Sequence, residues 1–339
     1  MAQGTVPAAH AADLLKIDAA AAAERAAQAM REQLGVLKRR GFIVAISGGV
    51  DSSVCAALAV KAVGPKRVFG LFLPERDSEP RSRELFDEVV RKFDIPHTVE
   101  NITPILDAAG CYKRRNDAIR RVVPEFRDDW GCKLVLPGNR LESDQLNVSH
   151  IAVKPPGGEL TSHRLPSAEY REIVAATNFK QRVRKMLEYF HADRLHYAVV
   201  GTPNRLEYDQ GFFVKGGDGL ADVKPIAHLF KTQVYQLAAE LGVPKGVTDR
   251  PPTTDTFSLP QSQEEFYFAL PALTMDLVVY ARNKGWSPAQ AAKELGLSDV
   301  QIERAYADLE QKRATTDYLH RRPMLVEPVT EVAAGKASA

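Results

Sequence analysis

The stretch GFIVAISGGVDSSVCAAL, from Gly41 to Leu58, places a loop rich in glycine and serine between two apolar segments. Residues Phe42–Ile46 are continuously apolar, which is typical of a strand buried on both faces of a parallel sheet. The apolar residues that follow Asp51 predict a helix that ends at Gly64. The stretch therefore predicts a strand, a loop at its carboxyl end, and a helix.

Strands and helices alternate along much of the remaining chain. Apolar runs predict further strands at 67–74, 97–102 and 196–202, and helical patterns occupy 11–38, 80–95 and 169–192. Such alternation predicts a doubly wound, Rossmann-like parallel sheet of about five strands with helices on both faces. We expect a single domain over residues 1–325, with a mostly helical part at 231–319.

Two segments depart from this alternation. Residues 107–166 combine clustered charges with turn-rich sequence, and we interpret them as an insertion made of a helix and a small hairpin. Residues 326–339 are small and polar, so we expect a disordered tail there.

The composition excludes several classes of protein. The 339 residues include 45 basic and 43 acidic residues, so the charge balance favours neither a nucleic-acid binder nor a membrane-surface protein. No run of about 18 apolar residues is present that could span a bilayer. Three cysteines without a C-x-x-C pair indicate reduced thiols and a cytoplasmic protein.

The loop after the first strand has the chemistry of a phosphate-binding site. Gly48 and Gly49 allow backbone N–H groups to approach an anion, and the following helix contributes the positive end of its dipole. The loop also carries hydroxyl groups that suit phosphate oxygens, at Ser47, Ser52 and Ser53. Because the Asp51 carboxylate repels phosphate, we expect a divalent cation between them, and Mg²⁺ fits best. The alternative is a connecting loop with capping serines.

Two commoner nucleotide-binding loops are absent from the sequence. It contains neither G-x-x-x-x-G-K-[ST] nor G-x-G-x-x-G, so neither a lysine-bearing phosphate loop nor the dinucleotide fingerprint is present. The motif SGGVDSS, Ser47–Ser53, instead resembles the pyrophosphate loop of the ATP pyrophosphatases. That resemblance implies cleavage of ATP between its α and β phosphorus atoms.

Three further stretches narrow the resemblance to one family. The segments Asn178–Arg182, Val199–Val234 and Arg250–Thr256 together resemble the ammonia-dependent NAD synthetases. The resemblance covers most of the chain from Ala11 to Pro323, with 107–166 poorly matched. It implies amidation of nicotinic acid adenine dinucleotide to NAD through an acyl-adenylate, with ATP as co-substrate and release of AMP and pyrophosphate.

The resemblance also assigns a role to individual residues. It implies that Asp51 and Glu207 hold Mg²⁺, and that Thr202, Lys231 and Thr253 join the glycine loop in binding ATP. Of these, Asp51, Lys231 and Thr253 are the candidate catalytic residues. It further implies that the dinucleotide is held by Arg182, Lys215, Asp222, His320 and Arg321. The YLHRRP stretch resembles the family's C-terminal His-Lys-Arg segment, but Arg321 stands where the family has lysine, which leaves the register of this segment open.

The nitrogen source and the assembly follow from the same resemblance. Glutamine-dependent members carry an extra nitrilase-like domain, for which the residues before Phe42 are too few. We therefore expect ammonia as the donor, either free or supplied by a separate glutaminase. The family generally forms twofold dimers, so we expect a homodimer.

Three alternative functions remain open from the sequence. A relative could amidate a different carboxylate, because the insertion departs from the family pattern. A tRNA-thiolating relative would need paired cysteines, and Cys111 and Cys132 are widely spaced. Residues 287–306 resemble a helix-turn-helix, but its second helix carries Asp299 and Glu303, which makes a poor surface for DNA phosphates.

Overall fold

The computed structural model describes residues 9–135, 149–251, 256–261, 267 and 270–329. Its helices are α1 (Ala19–Val36), α2 (Val50–Val63), α3 (Arg81–Lys92), α4 (Thr103–Ala108), α5 (Cys111–Arg120), α6 (Ser167–Leu195), α7 (Arg205–Gln210), α8 (Lys231–Glu240), α9 (Lys245–Thr248), α10 (Ala272–Asn283), α11 (Pro288–Leu295) and α12 (Asp299–His320). Its strands are β1 (Phe42–Ala45), β2 (Val68–Phe72), β3 (His97–Val99), β4 (Gly131–Val135), β5 (His150–Lys154), β6 (Thr161–Arg164) and β7 (Ala198–Val199).

The central sheet is parallel and has the strand order β3-β2-β1-β7. In register, Phe42 of β1 lies between Val68 of β2 and Ala198 of β7. The sequence predicted about five strands. The described sheet has four, and a parallel bridge between Val200 and Val223 continues the pairing beyond β7.

Alternate residues of β1 enter two separate cores. Phe42 and Val44 pack with residues of α1, α2, α3 and α8, whereas Ile43 packs with residues of α4, α5 and α6. Since successive side chains of a strand point to opposite faces, β1 is buried on both sides. The predicted doubly wound arrangement is confirmed.

The first helix begins later than the sequence pattern suggests. A single helix was predicted over 11–38, but α1 starts at Ala19 because the Asp18 carboxylate accepts from the Ala21 N–H at 2.9 Å. Residues Ala9–Leu15 form a separate 3₁₀ helix.

The segment predicted as an insertion forms a second sheet. β4, β5 and β6 pair antiparallel in that order, so the predicted hairpin corresponds to β5–β6, and β4 is an additional strand. The sheet and α5 share a small core that includes Ile119, Cys132, Ile151 and Phe257. Residues 136–148 of this segment lie outside the described residues.

The helices after Leu229 build a further core. The predicted helix-turn-helix is present: Ser287 caps α11, Gly296 ends it with φ +72°, and Ser298 forms a capping box with Gln301 at the start of α12. The apolar faces of both helices are buried together with α10 and with Leu206 of α7. Since these faces pack inward, the pair has a structural role in the fold.

Two predictions about the chain as a whole remain predictions. The single domain over 1–325 is one of them, and the disordered tail is the other, because its residues 330–339 lie outside the described ranges. Within the part of the chain that is described, no helix has the length and apolar character needed to cross a membrane.

Candidate functional site

The glycine loop leaves β1 and enters α2 under tight steric limits. Gly48 has φ +81°, and a Cβ there would lie 2.9 Å from the Ser82 carbonyl oxygen and 3.0 Å from Leu85 Cβ. Any larger residue would therefore be strained by its backbone and by this contact. Gly49 is the N-cap of α2 and supplies no side-chain cap, so the first N–H groups of that helix remain directed at the loop.

The three serines of the loop already have protein partners. Ser52 Oγ and Ser53 Oγ both donate to the Gly49 carbonyl, at 3.0 and 2.9 Å. Ser52 Oγ also accepts from the Ser47 N–H at 3.2 Å. These bonds hold the shape of the loop, so Ser53, which is fully buried, acts on a ligand only through that shape.

Charged side chains from three helices meet beside the loop. Lys231 Nζ, at the first residue of α8, donates to the Asp51 carboxylate in the first turn of α2. Asn204 Nδ2 donates to the other Asp51 oxygen at 3.2 Å. Asn204 and Glu207 form the capping box of α7, in which the Glu207 carboxylate accepts from the Asn204 N–H at 3.0 Å. Asn204 therefore joins the two acidic residues.

The acidic residues strongly affect one another. Burial, together with the nearby Asp51 charge, raises the pKa of Glu207 from 4.5 to about 8. Burial opposes the charge of Lys231, but Asp51 and Glu207 outweigh it and raise the pKa of the lysine. Two neighbouring carboxyl groups beside a single buried lysine can bind a divalent ion, with phosphate oxygens as its remaining ligands.

A cleft of about 500 Å³ lies over the carboxyl ends of β1, β2 and β7. This is where open α/β sheets bind ligands. Among the sequence-predicted residues, its lining includes Ser47, Gly49, Asp51, Ser52, Thr202, Glu207, Lys231, Arg182 and Lys215. The other described positions that were predicted do not line the cleft: Gly48, Ser53, Asp222, His320 and Arg321. Thr253 lies outside the described residues.

The predicted dinucleotide-binding residues make contacts within the protein. Arg182 Nε donates to the Lys215 carbonyl at 3.3 Å, and Lys215 Nζ donates to the Tyr318 carbonyl at 2.7 Å, at the end of α12. Asp222 accepts from the Val199 N–H at 2.8 Å and therefore fixes β7. The structure thus brings Arg182 and Lys215 to one rim of the cleft, whereas Asp222 bonds to the backbone of β7 and does not line the cleft.

The two C-terminal candidates differ in their surroundings. His320 packs edge-on against Tyr208 and Phe213, with ring centroids 4.8 and 5.2 Å away. Burial, followed by the charge of Lys224, lowers the pKa of His320 from 6.5, so the ring is neutral at pH 7. Arg321 is exposed and donates to Asp317 at 2.6 Å.

A buried charge network in the cleft wall was missed by the sequence analysis. Lys180 Nζ donates to Glu75 at 2.9 Å, to Asp77 at 2.7 Å and to the Thr256 carbonyl at 2.7 Å. Asp77 also accepts from Arg115 Nη1 of α5 at 2.7 Å. One signal was available, because Glu75 and Asp77 follow β2 in the way that Asp51 follows β1.

Two more groups in the lining were also missed. Arg184 of α6 donates through Nε to the Leu73 carbonyl at 3.2 Å. Lys185 and Glu188 form a buried ion pair at 2.6 Å. The 3.6-residue periodicity of α6 alone could not show which of its many charged residues face inward.

Comparisons with known proteins identify the family of the chain and agree with its fold. A family model described as NAD synthase matches residues 22–122 and 140–316. The chain is 54% identical over 321 residues to an NH(3)-dependent NAD(+) synthetase of Rhizobium meliloti, covering 95% of this chain and 96% of the relative.

Solved structures show the same fold at lower identity. The NH3-dependent NAD synthetase of Campylobacter jejuni has a TM-score of 0.60 at 19% identity, covering 92% of this chain and all of that one. An NMN synthetase of Francisella tularensis has a TM-score of 0.63 at 21% identity, covering 91% and 99% of the two chains.

Proposed function

The chain belongs to the NAD synthase family, and from this premise we propose that it converts nicotinic acid adenine dinucleotide to NAD with ATP and ammonia. The observation that carries the proposal is the meeting of Asp51, Glu207 and Lys231 beside the glycine loop, at the edge where the sheet opens into the cleft. These groups suit a triphosphate with a divalent ion.

The first step activates the carboxylate. A nicotinate oxygen attacks the α-phosphorus of ATP, the bond from that phosphorus to the bridging oxygen breaks, and pyrophosphate leaves with the electron pair. Backbone N–H groups at the start of α2 hold the departing phosphates, and the Lys231 ammonium neutralises charge that develops on them.

The second step forms the amide. Ammonia attacks the acyl-adenylate carbon, the bond to the phosphate oxygen breaks, AMP leaves, and the nitrogen loses a proton. Because a free carboxylate is a poor electrophile, the adenylate supplies the leaving group, and no covalent enzyme intermediate is needed. The protein contributes mainly by orienting the reactants and stabilising charge.

The acidic pair fits Mg²⁺. Mg²⁺ in a nucleotide site commonly takes one or two protein carboxylates and completes its coordination with phosphate oxygens and water. Asp51 and Glu207 would hold it, and when bound it supplies positive charge to the triphosphate. Lys231 would then leave Asp51 and turn toward a phosphate oxygen.

The acceptor is proposed to bind along the rim formed by α6 and the end of α12. The chain around Arg182 and Lys215 presents cations to a pyrophosphate, and the same rim leads to the neutral His320 and to Arg321. Asp222 supports the rim through β7, and contact of Asp222 with a ribose stays a prediction, as does contact of Thr253 with ATP.

We further propose a homodimer in the cytoplasm that uses ammonia, either free or from a separate glutaminase. Met186 and Phe190, one turn apart on α6, are 53% and 57% exposed, and an apolar patch of this kind supports an interface. Light scattering coupled to size-exclusion chromatography tests the dimer.

Two of the alternative functions lose support from the structure. Cys111 and Cys132 are buried, and burial raises the pKa of both thiols, that of Cys111 to about 11. Thiols of this kind are poor sulfur carriers. The apolar faces of the helix-turn-helix are buried in the core, and Asp299 and Glu303 are exposed on its second helix, which disfavours contact with DNA phosphates.

The decisive experiment supplies the purified chain with ATP, Mg²⁺, ammonium and nicotinic acid adenine dinucleotide. We expect AMP, pyrophosphate and NAD in equal amounts, measured by chromatography. The corresponding mononucleotide serves as a competing acceptor. Formation of ADP, or AMP release that ignores the dinucleotide, would reject the proposal, and preference for the mononucleotide would change the acceptor.

A further inference from the structure

Arg184 differs from the other half-buried or buried cations of the cleft wall. Lys180, Lys185 and Lys231 each pair with a carboxylate, at Asp77, Glu188 and Asp51 respectively. The Arg184 side chain makes one hydrogen bond among the described residues, from Nε to the Leu73 carbonyl.

Arg184 lines the cleft, and the two Nη groups of its guanidinium are available to a ligand there. With Nε fixed on the backbone, the two Nη groups keep four N–H donors, and within the described ranges no carboxylate lies within 4.0 Å of them. The nearby acids are already engaged, since Glu188 accepts from Lys185 at 2.6 Å and Asp218 accepts from the Val214 N–H at 2.7 Å. Glu188 and Asp218 feel the charge of Arg184, but neither carboxylate bonds to it, so its Nη donors are available to an anionic ligand.

The position of Arg184 brings it near the reacting phosphates. Leu73 follows the end of β2, and the glycine loop follows the end of β1, the adjacent strand. Neighbouring strands are about 4.8 Å apart, which is within the reach of an arginine side chain. Arg182 lies two positions away on α6 and also lines the cleft, but it is exposed and bonds to the Lys215 carbonyl, so the two arginines contact different parts of the wall.

We propose that Arg184 binds the α-phosphate of ATP and keeps that contact in the acyl-adenylate and in AMP. The inference rests on the proposed function and adds a binding residue to it. A phosphate remains anionic through both steps, whereas the nicotinate carboxylate loses its charge when it is adenylated. An arginine held on the carboxylate would therefore stabilise the reactant more than the intermediate, which slows the reaction.

The first test measures binding without catalysis. Isothermal titration compares AMP with adenosine for the parent, for Arg184→Gln and for Arg184→Lys. We expect Arg184→Gln to weaken the affinity for AMP by about 10- to 100-fold and to leave the affinity for adenosine unchanged, because only AMP has a phosphate. Arg184→Lys should recover part of the loss, since it keeps the charge but not the fork. Arg171→Gln, on the exposed face of the same helix, is the matched control and should match the parent.

The second test separates a phosphate contact from a carboxylate contact. In pyrophosphate exchange and in NAD formation, Arg184→Gln should lower kcat by about 10²-fold or more in both, with KM for the dinucleotide changed less than about threefold. Thermal melting checks that each variant is folded.

The assignment would be overturned if Arg184→Gln lost affinity for AMP and adenosine equally, or if it raised only the KM for the dinucleotide. If the parent forms no NAD but Arg184→Gln still weakens AMP binding and spares adenosine binding, the proposed amidation is rejected and the phosphate contact is kept. NAD formation by Arg184→Gln at the parental rate would reject the contact and keep the amidation.

Discussion

Two regions of the cleft are built in different ways. The phosphate side, made of the glycine loop with Asp51, Glu207 and Lys231, is assembled from helix starts whose side chains meet one another. On the acceptor side, made of Arg182, Lys215, Asp222, His320 and Arg321, most polar groups bond to backbone or to side chains outside that set.

The difference concerns preorganisation. On the phosphate side Asp51, Asn204 and Glu207 are held together before a ligand arrives, and only Lys231 has to turn away from Asp51, so these groups lose little freedom on binding. On the acceptor side Lys215 must release the carbonyl oxygens of Tyr318 and Arg321 before it can reach a ligand. We therefore expect substitutions on the phosphate side to lower the reaction rate strongly. Substitutions on the acceptor side should have smaller effects, mainly on the KM for the dinucleotide.

Asp51→Asn should have the largest effect. The amide loses the charge that pairs with Lys231 and that would hold the metal, so we expect AMP formation to fall by about 10³-fold or more. AMP is measured by chromatography with saturating substrates. Asp299→Asn, an exposed change in the first turn of α12, is the control and should keep full activity. Parental activity of the Asp51 variant would remove the distinction between the two sides.

Glu207→Gln should remove a pH dependence of stability. The folded chain holds a proton on Glu207 up to about pH 8, whereas the unfolded chain loses it near 4.5. Stability without ligands therefore falls as pH rises through this window, by on the order of a few kcal/mol. Urea unfolding from pH 5 to pH 8.5 should give a flatter profile for Glu207→Gln. The exposed change Glu240→Gln should leave the slope as it is, and an unchanged slope in the Glu207 variant would contradict the prediction.

Lys215→Met should act mainly on acceptor affinity. We expect KM for the dinucleotide to rise about 10- to 30-fold, with KM for ATP nearly constant, because a charge-assisted contact is lost on one side only. Steady-state kinetics with each substrate varied in turn provides the measurement. Lys293→Met on α11 is the exposed control. A fall in kcat with constant KM would place Lys215 with the phosphate side instead.

Arg321→Gln should have the smallest effect. Arg321 is exposed and bonds to Asp317, so a ligand contact there replaces an existing partner and contributes little. We expect dinucleotide KM to rise by about threefold. The neighbouring variant Arg322→Gln tests the register of the segment, because the larger change marks the residue that meets the ligand.

The phosphate side was largely predictable because its signal is local. Ser47–Ser53 is contiguous, and a glycine loop between a buried strand and a helix has few other physical explanations. Lys231, which the resemblance implied as an ATP-binding residue, is the first residue of α8 and lies beside the loop. The contact of Lys231 with Asp51 joins residues 180 positions apart, so sequence spacing could not give it.

The missed features depend on contacts between distant segments. Lys180 meets Glu75 across 105 positions, and each residue alone reads as an ordinary surface charge. Strand β4 is only five residues long and pairs with β5, beyond residues 136–148. Short strands are identified by their partners, which a single sequence does not show.

The network around Lys180 links α5, the helix of the insertion, to the residues after β2 and to α6. Arg115 of α5 and Lys180 of α6 share Asp77, and the Tyr112 hydroxyl donates to Glu75 at 2.6 Å. Excising α5 and its sheet, as in an attempt to make a minimal version of this protein, would strip partners from two interior acids at once. During evolution this module could therefore be shortened or exchanged only if Glu75, Asp77 and Lys180 changed with it.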